Sequence, residues 1–134
     1  MILIKPNIVC DISNVAKNNC RSEGAKLYKI HLMYNALKYN YWVIGVADLS
    51  LFREIDDRVG YKYEYLERNI IYEVPSREDA DYYIIKKAIL LDCYILSNDH
   101  FRDYAHLFPD KSWLETHRVS FMIIDGDFIY RTPK

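Results

Sequence analysis

The chain is short of three things, and each shortage excludes a class of protein. Cysteine occurs 3 times in 134 residues, as Cys10, Cys20 and Cys93, with no close metal-type pair among them. So odd and sparse a set builds no disulfide framework. Cys10 and Cys93 lie in apolar runs, where a thiol packs as a small hydrophobe. That usage leads us to expect a reduced, cytoplasmic setting. Basic charge is not in excess either: 18 Lys and Arg stand against 19 Asp and Glu, a formal net charge of −1. Bulk electrostatics therefore does not hold this chain on nucleic acid, and any such role must rest on a local site. No apolar run approaches the roughly 20 residues of a membrane span. The opening Met1-Ile2-Leu3-Ile4-Lys5-Pro6 is too short and wrongly ordered for a signal peptide. We expect no membrane contact.

What remains is enough for a core. The hydrophobic fraction is 51%, with 13 tyrosines whose rings bury while their hydroxyls reach water. The length suits one domain over residues 1–134. No repeat, linker or low-complexity tract divides it.

Apolar runs and helical stripes alternate along the chain. Asn7 to Cys10, Tyr41 to Ala47, Ile70 to Val74 and Cys93 to Leu96 read as short buried strands. Val119 to Ile124 and Phe128 to Tyr130 flank Asp125-Gly126-Asp127, a hairpin-type turn. Ser13 to Asn19 reads as a polar loop. Gly24 to Tyr39 predicts a helix with Leu27, Ile30, Tyr34 and Leu37 on its apolar stripe and Lys26, Lys29 and Lys38 off it. Leu51 to Arg58 and Tyr61 to Arg68 predict short helices separated at Gly60. Asp79 or Ala80 to Leu91 predicts a longer one, with helical turns over Asp99 to His106 and Ser112 to His117. Strands alternating with helices imply an α/β fold: a mostly parallel central sheet in three layers, with helices on both faces.

In such sheets, sites form beyond the carboxyl ends of the strands. Asp11, Asp48 and Asp99 each follow a strand, and Asp81 opens a helix on one face with Ile84, Ile85 and Ala88. Asp99 and Asp103 stand four apart, which on a helical turn aims both carboxylates one way. Each acid alone has an ordinary explanation: a helix dipole for Asp81, a loop cap for Asp11, a solvated turn for Asp99 and Asp103. Together they predict a shared acidic crevice. Hard oxygen ligands without a His or Cys cluster suit Mg2+ or Mn2+ rather than zinc, and that chemistry is phosphodiester hydrolysis. His31, His100, His106 and His117 are scattered and show no ligand spacing. Tyr61, Tyr63 and Tyr65 alternate as base-stacking residues can, though packing is the simpler reading. Trp113 reads as a core anchor.

Four segments resemble the NYN branch of the PIN-like nucleases, in particular its Regnase-type ribonucleases. They are Val9-Cys10-Asp11-Ile12-Ser13-Asn14-Val15-Ala16, the stretch from Tyr65 to Pro75-Ser76-Arg77, Asp81-Tyr82-Tyr83-Ile84-Ile85-Lys86-Lys87-Ala88, and Ile95-Leu96-Ser97-Asn98-Asp99-His100-Phe101-Arg102-Asp103-Tyr104. The last is the most specific. The resemblance implies a PIN-like fold and a ribonuclease, with RNA as its partner. It implies Asp11, Asp81, Asp99 and Asp103 as ligands of Mg2+ or Mn2+, and Asn14 as a group orienting phosphate or water. Ser97 and Asn98 would shape the loop under Asp99. Arg102 would contact RNA or brace the acidic loop, and Arg77 is a weaker candidate for RNA contact. Two departures stand out. Ala80 occupies a position where the family often carries a second acid, and the CCCH zinc finger of animal members is missing. Ala80 keeps a second reading open: a PIN-like toxin or RNA-binding module with a weak or inactive site, regulated by a small protein partner; a homodimer is the other partner that is allowed for. A phospho-acceptor receiver domain fits poorly, because Cys10 stands where a paired acid is needed and no lysine follows a late strand.

Overall fold

A computed structural model describes residues 4–19 and 23–133. Cys20 lies outside the described residues. The strands are β1 (Asn7–Asp11), β2 (Trp42–Ala47), β3 (Ile71–Glu73), β4 (Tyr94–Leu96), β5 (Arg118–Ile124) and β6 (Asp127–Arg131). They form one sheet in the order β3-β2-β1-β4-β5-β6. All pairings are parallel except β5 with β6, which the turn at Asp125 and Gly126 makes antiparallel. Both turn residues have positive φ, 50° and 80°.

Side chains alternate across the sheet, as a period of two requires. On β1, Ile8 and Cys10 enter one core and Val9 the other. The helices are α1 (Ile12–Ala16), α2 (Leu27–Leu37), α3 (Leu51–Glu54), α4 (Arg58–Tyr61), α5 (Ala80–Leu91) and α6 (Trp113–His117), with a π-helical turn at Lys62–Leu66 and a 3-10 segment at Arg102–Leu107. Buried residues of α1 to α4 pack with Ile8 and Cys10 on one face. Ile84, Ile85 and Ala88 of α5 pack with Val9, Ile95 and Trp113 on the other. The three-layer α/β reading is thus what the chain adopts.

Four local expectations are corrected. Ser13 to Asn19 does not begin as a loop: α1 forms there because Asp11 caps it and Ile12, Val15 and Ala16 share a buried face. α2 starts at Leu27 rather than Gly24, since Ala25 pairs with Ile55 in an isolated bridge. Lys29, placed off the apolar stripe, is nonetheless buried, and its Nζ donates to the Asn18 carbonyl, tying the end of the α1 segment to α2. Gly60 does not separate two helices; it sits inside α4, where its N–H donates to Asp57 Oδ1 at 2.9 Å. Tyr61 and Tyr65 are core residues and Tyr63 is exposed. No helix among the described residues is long and apolar enough to cross a membrane.

Gly45 of β2 shows how closely the strands and α1 approach. A Cβ there would lie 2.7 Å from Ile71 Cγ1, 3.0 Å from the Ile70 carbonyl oxygen and 3.1 Å from Ile12 Cδ1. Gly45→Ala is expected to cost about 1–3 kcal/mol through overpacking. Urea unfolding checks this, and a neutral result would contradict the packing described.

Candidate active site

Asp11 is both the last residue of β1 and the N-cap of α1. Its Oδ1 accepts the Asn14 N–H at 3.4 Å, and its Oδ2 accepts the Ser97 hydroxyl at 2.8 Å. The residue is only 7% exposed. Ser97 follows β4 and is fully buried, and its Oγ also accepts the Asp99 N–H at 3.0 Å. One hydroxyl thus joins the acids that follow two neighbouring strands. Asp99 Oδ1 accepts the Phe101 N–H at 2.8 Å, closing a tight turn.

A second set of bonds fixes the walls. Asn14 Oδ1 accepts the Asn98 N–H at 2.9 Å. The Asn98 side chain meets the Phe121 backbone twice, accepting its N–H at 3.0 Å and donating to its carbonyl at 2.9 Å. Arg118 donates to the Ser97 carbonyl at 3.1 Å. Asp81 occupies the first turn of α5, where Asp79 caps the helix by accepting the Asp81 N–H at 2.9 Å.

Asp11, Asp81 and Asp99 line one cavity of about 400 Å3, together with Ser13, Asn14 and Lys17. Burial, with the Asp81 and Asp99 carboxylates nearby, pushes the Asp11 carboxyl up to about 7 despite the opposing Ser97 and Asn14 hydrogen bonds. Burial and the neighbouring Asp79, Asp99 and Asp48 push Asp81 up to about 6. Asp48 behaves oppositely. Burial alone would raise its carboxyl, but the Ser50 and Ser13 hydroxyls, Lys17 and the Leu51 N–H outweigh that and hold it below its ordinary value. Ser13 donates to Asp48 at 3.1 Å, so this acid braces α1 against the loop after β2.

None of Asp11, Asp81 and Asp99 is in an ion pair among the described residues. A buried carboxylate beside two like charges must take up a proton or a cation. The oxygen-only donor set therefore fits a hard divalent ion. Among the described residues, no group of three or more His, Cys, Asp or Glu side chains is placed to hold a metal ion together. That corrects the expected four-acid cup to an open cavity with three acids on its wall. Mg2+ suits such a wall, since it keeps several waters and takes only one or two carboxylates.

Other expected residues fall elsewhere. Phe101 adopts left-handed backbone, φ 49° and ψ 42°. Asp99 and Asp103 therefore do not share a helical face. Asp103 is exposed and stands outside the acidic cavity. Arg102 lines a separate hollow with His100 and His106. Arg77 is exposed, with φ 79°, in the loop after β3. Ser97 and Asn98 are committed to bonds within the protein. Lys17 on the cavity wall and Arg118 beneath Ser97 were not anticipated. Neither has a local spacing signal, because each meets the site only through tertiary contact.

The architecture and the acidic edge together define a PIN-like NYN nuclease domain. The chain belongs to the Zc3h12a-like Ribonuclease NYN domain family, whose sequence profile matches residues 5–133. It is 30% identical over 67 residues to Proteinaceous RNase P 3 of Arabidopsis thaliana, covering 47% of this chain and 12% of that protein. Two solved structures of nuclear proteinaceous RNase P 2 from A. thaliana superpose with TM-scores of 0.78 and 0.71, at 19% and 20% identity. Each match covers 97% of this chain and 30% of the other. These likenesses carry the fold, and the family membership bears out the resemblance read from the motifs.

The raised carboxyls fix a direction for stability against pH. An acid whose folded-state pKa lies above its unfolded value stabilises the fold fully below the unfolded value, and that contribution is lost as pH rises through the folded one. In EDTA, the Asp11 contribution is therefore lost between about pH 4 and about pH 7. The melting temperature of the wild type should decline through that window relative to Asp11→Asn. Parallel pH profiles for the two proteins would refute the assignment.

Proposed function

We propose that this domain is a divalent-cation-dependent endoribonuclease that hydrolyses RNA phosphodiesters at the acidic cavity. The observation that carries this is the buried Asp11 carboxylate facing the same cavity as Asp81 and Asp99, with no cationic partner among the described residues. One or two of Asp11, Asp81 and Asp99 would hold Mg2+ or Mn2+ directly, and the remaining acid through the ion's waters. When bound, the ion supplies an activated water and offsets charge developing on the phosphate. The chain's own groups do the positioning. Ser97 keeps Asp11 and Asp99 in register. Asn14 has its carbonyl oxygen taken by Asn98, which leaves its amide N–H groups to donate to a phosphate oxygen. Lys17 lies on the cavity wall, its Nζ 2.6 Å from Glu54, and supplies positive charge where the backbone enters.

Asp103 enters this reading only as an outer acid acting through water, and the exposed Arg102 and Arg77 as contacts for the RNA backbone on the approaches. An exposed Asp99 at an open cavity favours cutting within a strand over threading an end. Free, buried Cys10 and Cys93 support a reduced, cytoplasmic setting. Ala80, where an acid would add to the site, is the one feature favouring the second reading: a weak site held for RNA binding under a partner's control.

Purified protein is expected to cut labelled single-stranded RNA internally with Mn2+ or Mg2+ and to stop with EDTA. Asp11→Asn, Asp81→Asn and Asp99→Asn should each lower the rate by more than the roughly hundredfold typical of outer positions. Asp103→Asn should cost about tenfold or less. Unchanged cutting by Asp11→Asn, with folding verified by circular dichroism, would sink the proposal.

A further inference from the structure

The sheet has two outer strands, and they differ. β3 forms one edge with only three residues, followed by Val74 and Pro75. So short an edge offers little to a second chain. β6 forms the other with five residues and pairs only with β5 among the described residues. Its register with β5 runs without a bulge from Ser120–Arg131 to Ile124–Asp127. Neither proline nor lysine interrupts Asp127 to Arg131. An edge of this kind is a template for another strand. The hairpin decides which backbone groups are free. Its turn of two residues closes on the Ile124–Asp127 pair, whose N–H and C=O groups face each other. Alternation then turns those of Ile129 and Arg131 toward β5 and leaves those of Phe128 and Tyr130 pointing out of the edge.

The side chains follow the same alternation. Phe128 and Tyr130 pack against the core, while Asp127, Ile129 and Arg131 share the exposed face. Ile129 is 51% exposed, and so is Met122, which stands opposite it on β5. Asp127 and Arg131 carry opposite charges, yet neither is in an ion pair among the described residues. Four residues apart on a strand, they are separated by about 13 Å and cannot meet within one chain. Across the ladder they face Ile124 and Ser120, which carry no charge.

We propose that β6 is a homodimer interface, in which two copies of this chain pair their β6 strands antiparallel about a two-fold axis at Ile129 and join two six-stranded sheets into one. The occupant is a second copy because the strand is complementary to itself. With Ile129 on the axis, Phe128 lies opposite Tyr130 of the second copy, and these are the residues with free backbone groups. Each such pair exchanges both of its N–H···O bonds. The same register sets Asp127 opposite Arg131 of the second copy, once on each side of the axis. It also aligns the exposed Met122 and Ile129 of both copies in one apolar row. A slip of one residue would bring opposite faces together, and a slip of two would set a charge against Ile129. The charges therefore select one isologous register. Antiparallel pairing points the two copies of β1 in opposite directions, so their acidic cavities open on opposite edges of the joined sheet. Each cavity is complete within its own chain, and dimerisation and RNA cleavage are separable.

Sedimentation velocity in EDTA tests the interface, since no metal ion then bridges two copies. A five-residue edge belongs to the small, weak class of interfaces. Wild type should therefore pass from monomer to dimer between about 5 and about 500 µM, with a dissociation constant of tens of micromolar. Ile129→Lys sets like charges on the axis and should weaken dimerisation at least about tenfold. Asp127→Arg and Arg131→Asp should each do the same. The double variant Asp127→Arg/Arg131→Asp restores opposite charges in exchanged places and should return to within about threefold of wild type. Circular dichroism verifies the fold of each variant. A wild type that stays monomeric throughout, or association of unchanged strength in Ile129→Lys, would overturn the interface. No recovery in the folded double variant would overturn the register.

Discussion

Burying a carboxylate is expensive, and Asp11 is tolerated at 7% exposure because the Ser97 hydroxyl reaches it from the next strand. That contact is a consequence of register. Cys10 of β1 stands opposite Leu96 of β4, so the residues that follow them, Asp11 and Ser97, emerge side by side. A slip of one residue would turn Asp11 toward the core and remove its donor. The same hydroxyl accepts the Asp99 N–H, so the spacing between two of the three cavity acids is fixed through one oxygen atom.

The rest of the edge extends that arrangement outward. Asp11 also caps α1, so the start of that helix and the position of the acid cannot vary separately. Asn14, one turn into α1, holds the Asn98 backbone, and Asn98 in turn pairs with β5 through Phe121. On the opposite side, Ser13 binds Asp48 beyond β2. Elements from four strands thus converge on one short helix. A five-residue helix has almost no stability of its own, and these bonds are what define its ends.

Much of this was legible in the sequence and some was not, for physical reasons. The strands could be read because each is a short apolar run bounded by polar residues, and the parallel order followed from helices between them. Asp11, Asp81 and Asp99 could be placed on one edge because each occupies a strand end or a helix start. α1 was missed because five residues are too few to show a helical period. The pairing of Asp99 with Asp103 was misjudged because left-handed backbone at Phe101, a non-glycine residue, is imposed by its burial and the Asp99 turn rather than by local preference.

The contrast among the acids separates structural from chemical roles better than position does. Asp48 and Asp11 both follow central strands. Asp48 receives two hydroxyls, a backbone N–H and the field of Lys17, and its carboxyl is held below the ordinary value. It is satisfied as an anion and needs nothing more. Asp11 receives one hydroxyl and a long backbone contact while facing two like charges, and its carboxyl is pushed up to about 7. Side chains of the same type, one strand apart, are thus driven in opposite directions by their donors. Environments that split titrating groups in this way mark the ones left for chemistry. The protein has spent more of its donors on Asp48 than on the cavity, which leaves the Asp11 and Asp81 carboxyls incompletely satisfied as anions.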